Sequence, residues 1–154
     1  MRDHDRTLNE RGIESAAKLA RHFKDHNIRP DVILCSSAQR TRETLAPILA
    51  SLGKSESDVT YSSSIYEAPD GANWDALCDV EDAKSVLVVG HNPTTEELAL
   101  TLLGDNQGEL LVDIHAGYPT GGLTHLRFAD GSWADSLKQG ASFVSFVSPR
   151  SLPI

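Results

Sequence analysis

Cysteine, positive charge and long hydrophobic runs are all scarce in this chain, and each shortage removes a class of protein. Two cysteines among 154 residues, Cys35 and Cys78, cannot build a disulfide framework. Each lies in or beside an apolar segment, so both are expected to be buried free thiols. No apolar stretch approaches the roughly 18 residues that span a bilayer, and Met1-Arg-Asp-His-Asp-Arg6 lacks the apolar core of a secretory signal. The expectation is a cytosolic protein with no membrane partner. Lysine and arginine number 14 against 22 acidic residues, for a net charge of −8. The long-range field therefore repels nucleic acids and other polyanions, and any phosphate has to be captured by a local cluster. No repeat, linker or low-complexity tract divides the chain. With 40% apolar and 23% charged residues, 1–154 reads as one domain.

What is present is an alternation of helical and strand patterns. Thr7-Leu-Asn-Glu10 has the spacing of a capping box and predicts a helix start, after which Ile13, Ala16, Ala17, Ala20 and Phe23 recur on one face. Arg29-Pro30 closes that segment, and Asp31 to Cys35 suits a strand buried on both faces. Ser37 is placed to cap a helix carrying Arg40, Thr41, Thr44, Leu45 and Ile48, which Pro47 must kink or interrupt. Val59 to Tyr61 reads as a strand, Tyr66-Glu67-Ala68 as loop, and Trp74 to Cys78 as a short helix. Ser85 to Val89 is the clearest buried strand, ending at Gly90. Pro93 suits a first helical turn, Thr94 and Glu97 repeat the capping-box spacing, and Gly104 closes the helix. Beyond the loop signals of 117–122, Leu123 to Phe128 and Ser142 to Val147 are apolar segments separated by the hairpin signal Asp130-Gly131. The implied fold class is α/β: a mostly parallel sheet with helices on both faces and an antiparallel C-terminal addition.

In such sheets ligands bind beyond the carboxyl ends of the strands, where helix N-termini and free amides converge. Ser36-Ser-Ala-Gln-Arg-Thr-Arg-Glu-Thr44 and Gly90-His-Asn92 both fall in that zone. A guanidinium offers a planar fork that matches phosphoryl oxygens, and a histidine beside it holds another oxygen or moves a proton. Taken singly, Arg40 or Arg42 reads as a solvated helix residue and His91 as a structural histidine; the two strand-end placements together favour phosphoryl chemistry. His22 and His26 lie at i,i+4 on a face shared with Arg21 and Lys24 and read as solvated. His115 and His125 have no catalytic pattern around them, though His115 precedes a loop that could line the pocket. Asp3, His4 and Asp5 could be imagined around a metal, but three adjacent polar residues at a chain end are expected to be disordered, and no metal or cofactor is assigned.

Asp5-Arg-Thr-Leu-Asn-Glu-Arg-Gly12, Cys35-Ser-Ser-Ala-Gln-Arg-Thr-Arg-Glu-Thr44, Tyr66-Glu-Ala68, Val89-Gly-His-Asn-Pro93 and Tyr118-Pro-Thr120 resemble, in order, motifs of the SixA-type phosphohistidine phosphatases of the histidine phosphatase (phosphoglycerate mutase-like) superfamily. The resemblance runs from about Asp5 to Pro149. It implies a three-layer α/β/α fold and metal-independent hydrolysis of phosphoramidates or phosphomonoesters through a phosphohistidine intermediate. By motif position Arg40 is the phosphate-clamping arginine and His91 the second pocket histidine. Ser37, Asn92 and Glu67 are further phosphate or substrate contacts, with Glu67 also a candidate proton donor. The implied partner is a phosphorylated protein or a small phosphorylated molecule.

The family's defining Arg-His-Gly or Arg-His-Ala motif, whose histidine is the nucleophile, precedes the segment matching Asp5 to Gly12, and this sequence begins after it. Arg2-Asp-His4 does not replace it, because the histidine is not adjacent to the arginine and no strand places it. In the family the motif's strand lies beside the one matching Ser85 to Val89, so its loss would expose backbone and core. An internal methionine of a longer chain, a degenerate enzyme, or another element filling the gap would each account for this. The first is preferred, since Arg40, His91 and the capping boxes are easiest to understand in a protein with a working site. Two rivals remain. A cysteine-dependent phosphatase needs Cys-x5-Arg, whereas Cys35 and Arg40 give Cys-x4-Arg. A catalytically inactive phosphate- or phosphoprotein-binding module needs only Arg40 and His91.

Overall fold

The computed structural model describes residues 2–67, 71–81 and 83–153. A 3-10 turn at Asp3–Asp5 leads into α1, Glu10–Asp25. The helix starts at Asn9, not at the predicted Thr7: Asn9 is the N-cap, its side chain accepting from Gly12 N at 2.9 Å. Ahead of that cap, the side chain of Glu43, far along the chain, accepts from Leu8 N at 2.9 Å and ties the entry to the helix down. The buried line of α1 is Ala16, Leu19, Ala20 and Phe23. Two residues of the expected face fail to join it. Ile13 remains 58% exposed because the buried line begins one turn later, and Ala17 is exposed because Leu19 takes the inward position beside Ala16 and Ala20.

Strand β1, Val32–Ser36, is followed by α2, Gln39–Leu52, which runs through Pro47 without interruption. Ser37 does not cap it. Ala38 holds the N-cap position without a side-chain bond, while the Ser37 hydroxyl faces His4. Strand β2, Val59–Ser62, then gives way to α3, Ser63–Glu67, so Tyr66 and Glu67 end a short helix and not a loop; Ala68 lies outside the described residues. Helix α4, Ala72–Cys78, turns Asn73 and Leu77 inward at i,i+4 spacing. That phase leaves Cys78 exposed, contrary to the expectation of a buried thiol, whereas Cys35 is buried as expected.

Strand β3, Val86–Val89, pairs in parallel with β1, which pairs in parallel with β2, giving the order β2-β1-β3. Alternation along β1 feeds two cores. Ile33 and Cys35 point to the cluster built with Leu19, Phe23, Leu45 and Leu49 of α1 and α2, and Leu34 points to the opposite cluster with Ile65, Leu77, Leu103 and Leu110. Helices therefore cover both faces, as the fold class requires. Position in the sheet explains one departure: β3 is half-buried throughout, not fully buried, because it is the sheet's edge.

Helix α5, Thr94–Leu103, closes at Gly104 with φ 52. No capping box forms at its start. Thr94 Oγ1 donates back to His91 O at 2.8 Å, and Glu97 N donates to Pro93 O at 3.0 Å. A sixth helix, α6, Gly108–Asp113, carried no sequence signal. The last strands, β4 (Leu123–Phe128) and β5 (Ala141–Val147), pair antiparallel in a separate two-stranded sheet. They are not joined by a tight hairpin at Asp130-Gly131, because α7, Trp133–Gln139, is inserted between them with Ser132 as its cap.

Candidate active site

The three parallel strands end level with one another: Cys35 pairs with Tyr61 on one side and with Val89 on the other. The residues that follow each strand therefore meet at one edge of the sheet. After β1 come Ser36 to Arg40, after β2 Tyr66 and Glu67 at the end of α3, and after β3 His91 to Glu97. Gly90 lets the last turn pack closely, since a Cβ there would stand 3.2 Å from Thr95 Oγ1 and 3.3 Å from Ile65 Cγ2. The result is an open cleft of about 540 Å³ lined by Asp3, Arg40, Tyr66, Glu67, His91, Asn92, Pro93, Thr94 and Glu97.

Arg40 and His91 are brought together as the sequence predicted. Arg40 Nη2 donates to His91 Nδ1 at 3.4 Å. A guanidinium has no acceptor, so Nδ1 presents its lone pair and the ring proton belongs on Nε2. Nε2 then donates to Ser36 Oγ at 2.7 Å, and the same oxygen accepts from Ala38 N at 3.2 Å. Ser36 is fully buried, so this contact fixes the imidazole from behind. Burial, and then the Arg40 charge, hold His91 below its ordinary pKa, with Asp3 opposing them. His91 is accordingly a neutral ring facing a cation across an open cleft.

Of the other expected site residues, Glu67 and Asn92 line the cleft. Asn92 Nδ2 donates to Tyr118 O at 3.3 Å, which ties the rim to the loop before β4. Ser37 is not among the lining residues; its hydroxyl contacts His4 Nε2 at 2.8 Å, and His4 Nδ1 lies 3.3 Å from Asp5 Oδ1. The Asp3–Asp5 segment, expected to be disordered, is ordered by these bonds and by Arg40 and Tyr66, both of which contact Asp3. His115 is exposed and bonded to Val112 O, away from the cleft. Cys35 is fully buried in β1, and burial pushes its thiol up to about 11, so it presents no thiolate to the cleft. Sequence reasoning missed Asp3, Tyr66, Thr94 and Glu97. Each reads in another sense in the sequence: Asp3 as part of a terminal polar run, Thr94 and Glu97 as a capping pair, and Tyr66 as part of a motif in which Glu67 draws the attention.

A parallel sheet that gathers an arginine fork and a neutral histidine beyond its strand ends defines an α/β protein equipped to hold a polyoxygen anion. Comparison with known proteins narrows that class. Residues 1–69 match the histidine phosphatase superfamily (branch 1). An uncharacterised protein of Mycobacterium tuberculosis is 34% identical over 151 residues, 96% of this chain and 92% of that one. An uncharacterised protein of Mycobacterium leprae is 31% identical over 150 residues, covering 96% of this chain and 89% of that one. Among solved structures, a candidate phosphohistidine phosphatase SixA from Agrobacterium tumefaciens superposes with a TM-score of 0.81 at 30% identity, covering 97% of this chain and 87% of that one. Another from Nakamurella multipartitia gives 0.79 at 30% identity, covering 97% and 88%. The chain belongs to the histidine phosphatase superfamily, and its fold is phosphoglycerate mutase-like.

Proposed function

We propose that the complete protein is a metal-independent phosphatase acting on phosphohistidine in a partner protein, or on a small phosphorylated molecule, through a phosphohistidine intermediate. The observation that carries this reading is the convergence of Arg40 and His91, 3.4 Å apart, in an open cleft beyond the strand ends of a superfamily member. The names of the two solved relatives support phosphohistidine as the substrate class.

In this reading the nucleophile is a histidine that the native chain supplies ahead of Met1. Its ring nitrogen bonds to phosphorus as the bond to the leaving group breaks; water then cleaves the new nitrogen–phosphorus bond and releases orthophosphate. Arg40 spreads its two donor arms over the phosphoryl oxygens as their charge shifts. His91, neutral beforehand, gains proton affinity when a dianion approaches and so strengthens its hold as the reaction proceeds. Glu67 on the rim donates a proton to the leaving group or contacts the substrate, and Asn92 borders the same opening. Ser37, whose hydroxyl contacts His4, does not line the cleft and is given no step in this reading. A cytosolic location belongs to this proposal; among the described residues, no helix is long and apolar enough to cross a membrane.

The test is the intact mass of the protein from its native source, followed by turnover of a phosphohistidine peptide and an aryl phosphate. A chain heavier than 16.7 kDa by one strand, with turnover lost in Arg40→Ala and in His91→Ala, is the expected result. A second reading, a phosphate- or phosphoprotein-binding module, is favoured by one observation: His91 is the single histidine among the described lining residues, and its Nε2 is occupied by Ser36. A native mass of 16.7 kDa with Arg40-dependent phosphate binding and no turnover would establish that reading instead.

A further inference from the structure

The carboxylate of Asp3 sits where an anionic ligand of Arg40 is expected. Its Oδ2 accepts from Arg40 Nη1 and Nη2, both at 3.3 Å, and from Tyr66 Oη at 2.7 Å. Arg40 Nη1 also donates to the Asp3 main-chain oxygen at 3.0 Å. A charged oxygen held by both arms of a guanidinium and by a hydroxyl has the coordination that a phosphoryl oxygen takes. Tyr66 is held by its own surroundings. Its ring packs edge-on against His4 at 4.8 Å and against His91 at 5.7 Å, and it lines the cleft beside His91. The sequence resemblance assigned roles to Arg40, His91 and Glu67 and gave none to this hydroxyl.

Asp3 is held but not locked in. Its side chain is 52% exposed and that of Arg40 33% exposed, and ion pairs in such settings are weak. The turn that carries it, Asp3–Asp5, buries no residue. A phosphoryl group brings about −1.5 to −2 charge and three acceptor oxygens against a single carboxylate charge, so it is the stronger ligand for the same donors.

We infer that Arg40 and Tyr66 form one oxyanion cradle, that the Asp3 carboxylate occupies it when no ligand is bound, and that the substrate's phosphoryl group enters by displacing Asp3. The identity of the ligand rests on the phosphatase reading above; the cradle and its occupant rest on the contacts just given. Tyr66 is then a phosphate-binding residue, and Asp3 a built-in competitor that sets the apparent affinity of the site.

The experiment is calorimetric titration of orthophosphate into the chain and into its Asp3→Ala, Asp3→Asn, Tyr66→Phe and Arg40→Ala variants, each first shown to unfold cooperatively. Asp3→Ala is expected to tighten binding on the order of tenfold, the scale of one hydrogen bond to a charged group, with Asp3→Asn between it and the parent. Tyr66→Phe, which keeps the ring and its packing, is expected to weaken binding by about the same factor. Damage to the fold cannot produce the tightening. Unchanged or weaker binding in Asp3→Ala, or unchanged binding in Tyr66→Phe, overturns the inference. Should Arg40→Ala alone abolish binding while those two variants are silent, the cradle fails and the phosphatase reading stands. Orthophosphate binding that survives Arg40→Ala, or that no variant shows at all, defeats both.

Discussion

A neutral imidazole next to a guanidinium makes His91 a reporter of its own site. Burial and then Arg40 lower its pKa from 6.5, so removing the guanidinium in Arg40→Ala should move the His91 titration back toward 6.5, read by NMR of the ring. A titration that stays where it was would mean that burial alone sets it. Stability follows the same sign. A histidine whose folded pKa lies below its unfolded value binds fewer protons when folded, so its contribution is complete above about 6.5 and is lost as pH falls through the folded pKa. His91, His22 and His125 are all lowered, and the denaturant midpoint should therefore fall between pH 7 and 5. At Cys35 the raised thiol predicts inertness: iodoacetamide at neutral pH should label exposed Cys78 and spare Cys35, as peptide mass mapping can show. Arg40 and His91 were legible in the sequence because each follows a strand with a recognisable end. Asp3 was not, since its meaning depends on Tyr66, 63 residues away, and no local pattern encodes that meeting.

Elements were legible in kind and misplaced at their ends, and the start of α1 shows why. Thr7 and Asn9 are both good capping residues, and local spacing favours Thr7. The cap is Asn9, whose side chain takes the amide of Gly12, while Glu43, on another helix, takes the amide of Leu8 just ahead of it. Asn9→Ala should accordingly cost about 1 kcal/mol in chemical unfolding, and Thr7→Ala markedly less. Similar reasoning applies to the insertion of α7. Asp130-Gly131 marks a change of direction correctly, yet Trp133, Leu137 and their neighbours cover the core beside β4 and β5, and that demand lies outside the range of a turn signal. At the entrance to β4, Gly121 has φ +75, and a Cβ there would come within 2.8 Å of Pro149 Cγ. Gly121→Ala should destabilise by about 1–2 kcal/mol from backbone strain alone, with the contact against the Pro149 turn adding to it; equal unfolding midpoints would show that both adjust freely.

Across the whole molecule, β1 is the strand on which both cores depend. It has a hydrogen-bonded neighbour on each side and sends alternate side chains to opposite clusters, whereas among the described residues β3 has a strand partner only on the edge facing β1. Hydrogen exchange should therefore be slowest through Ile33 to Cys35 and faster at those amides of Val86–Val89 that face away from β1. The parallel sheet was readable from its short apolar runs, but its division from β4 and β5 was not, because periodicity describes a strand's faces and says nothing about its neighbours. The level strand ends have one more consequence. Each of three chain segments contributes a separate share of the cleft, so the full set of donors exists only while all three strands keep register. An anion bound across them works as a rivet through the sheet. At ten times its dissociation constant it would add about 1.4 kcal/mol to global stability, and the melting temperature of the entire sheet would rise with a ligand that touches only its rim.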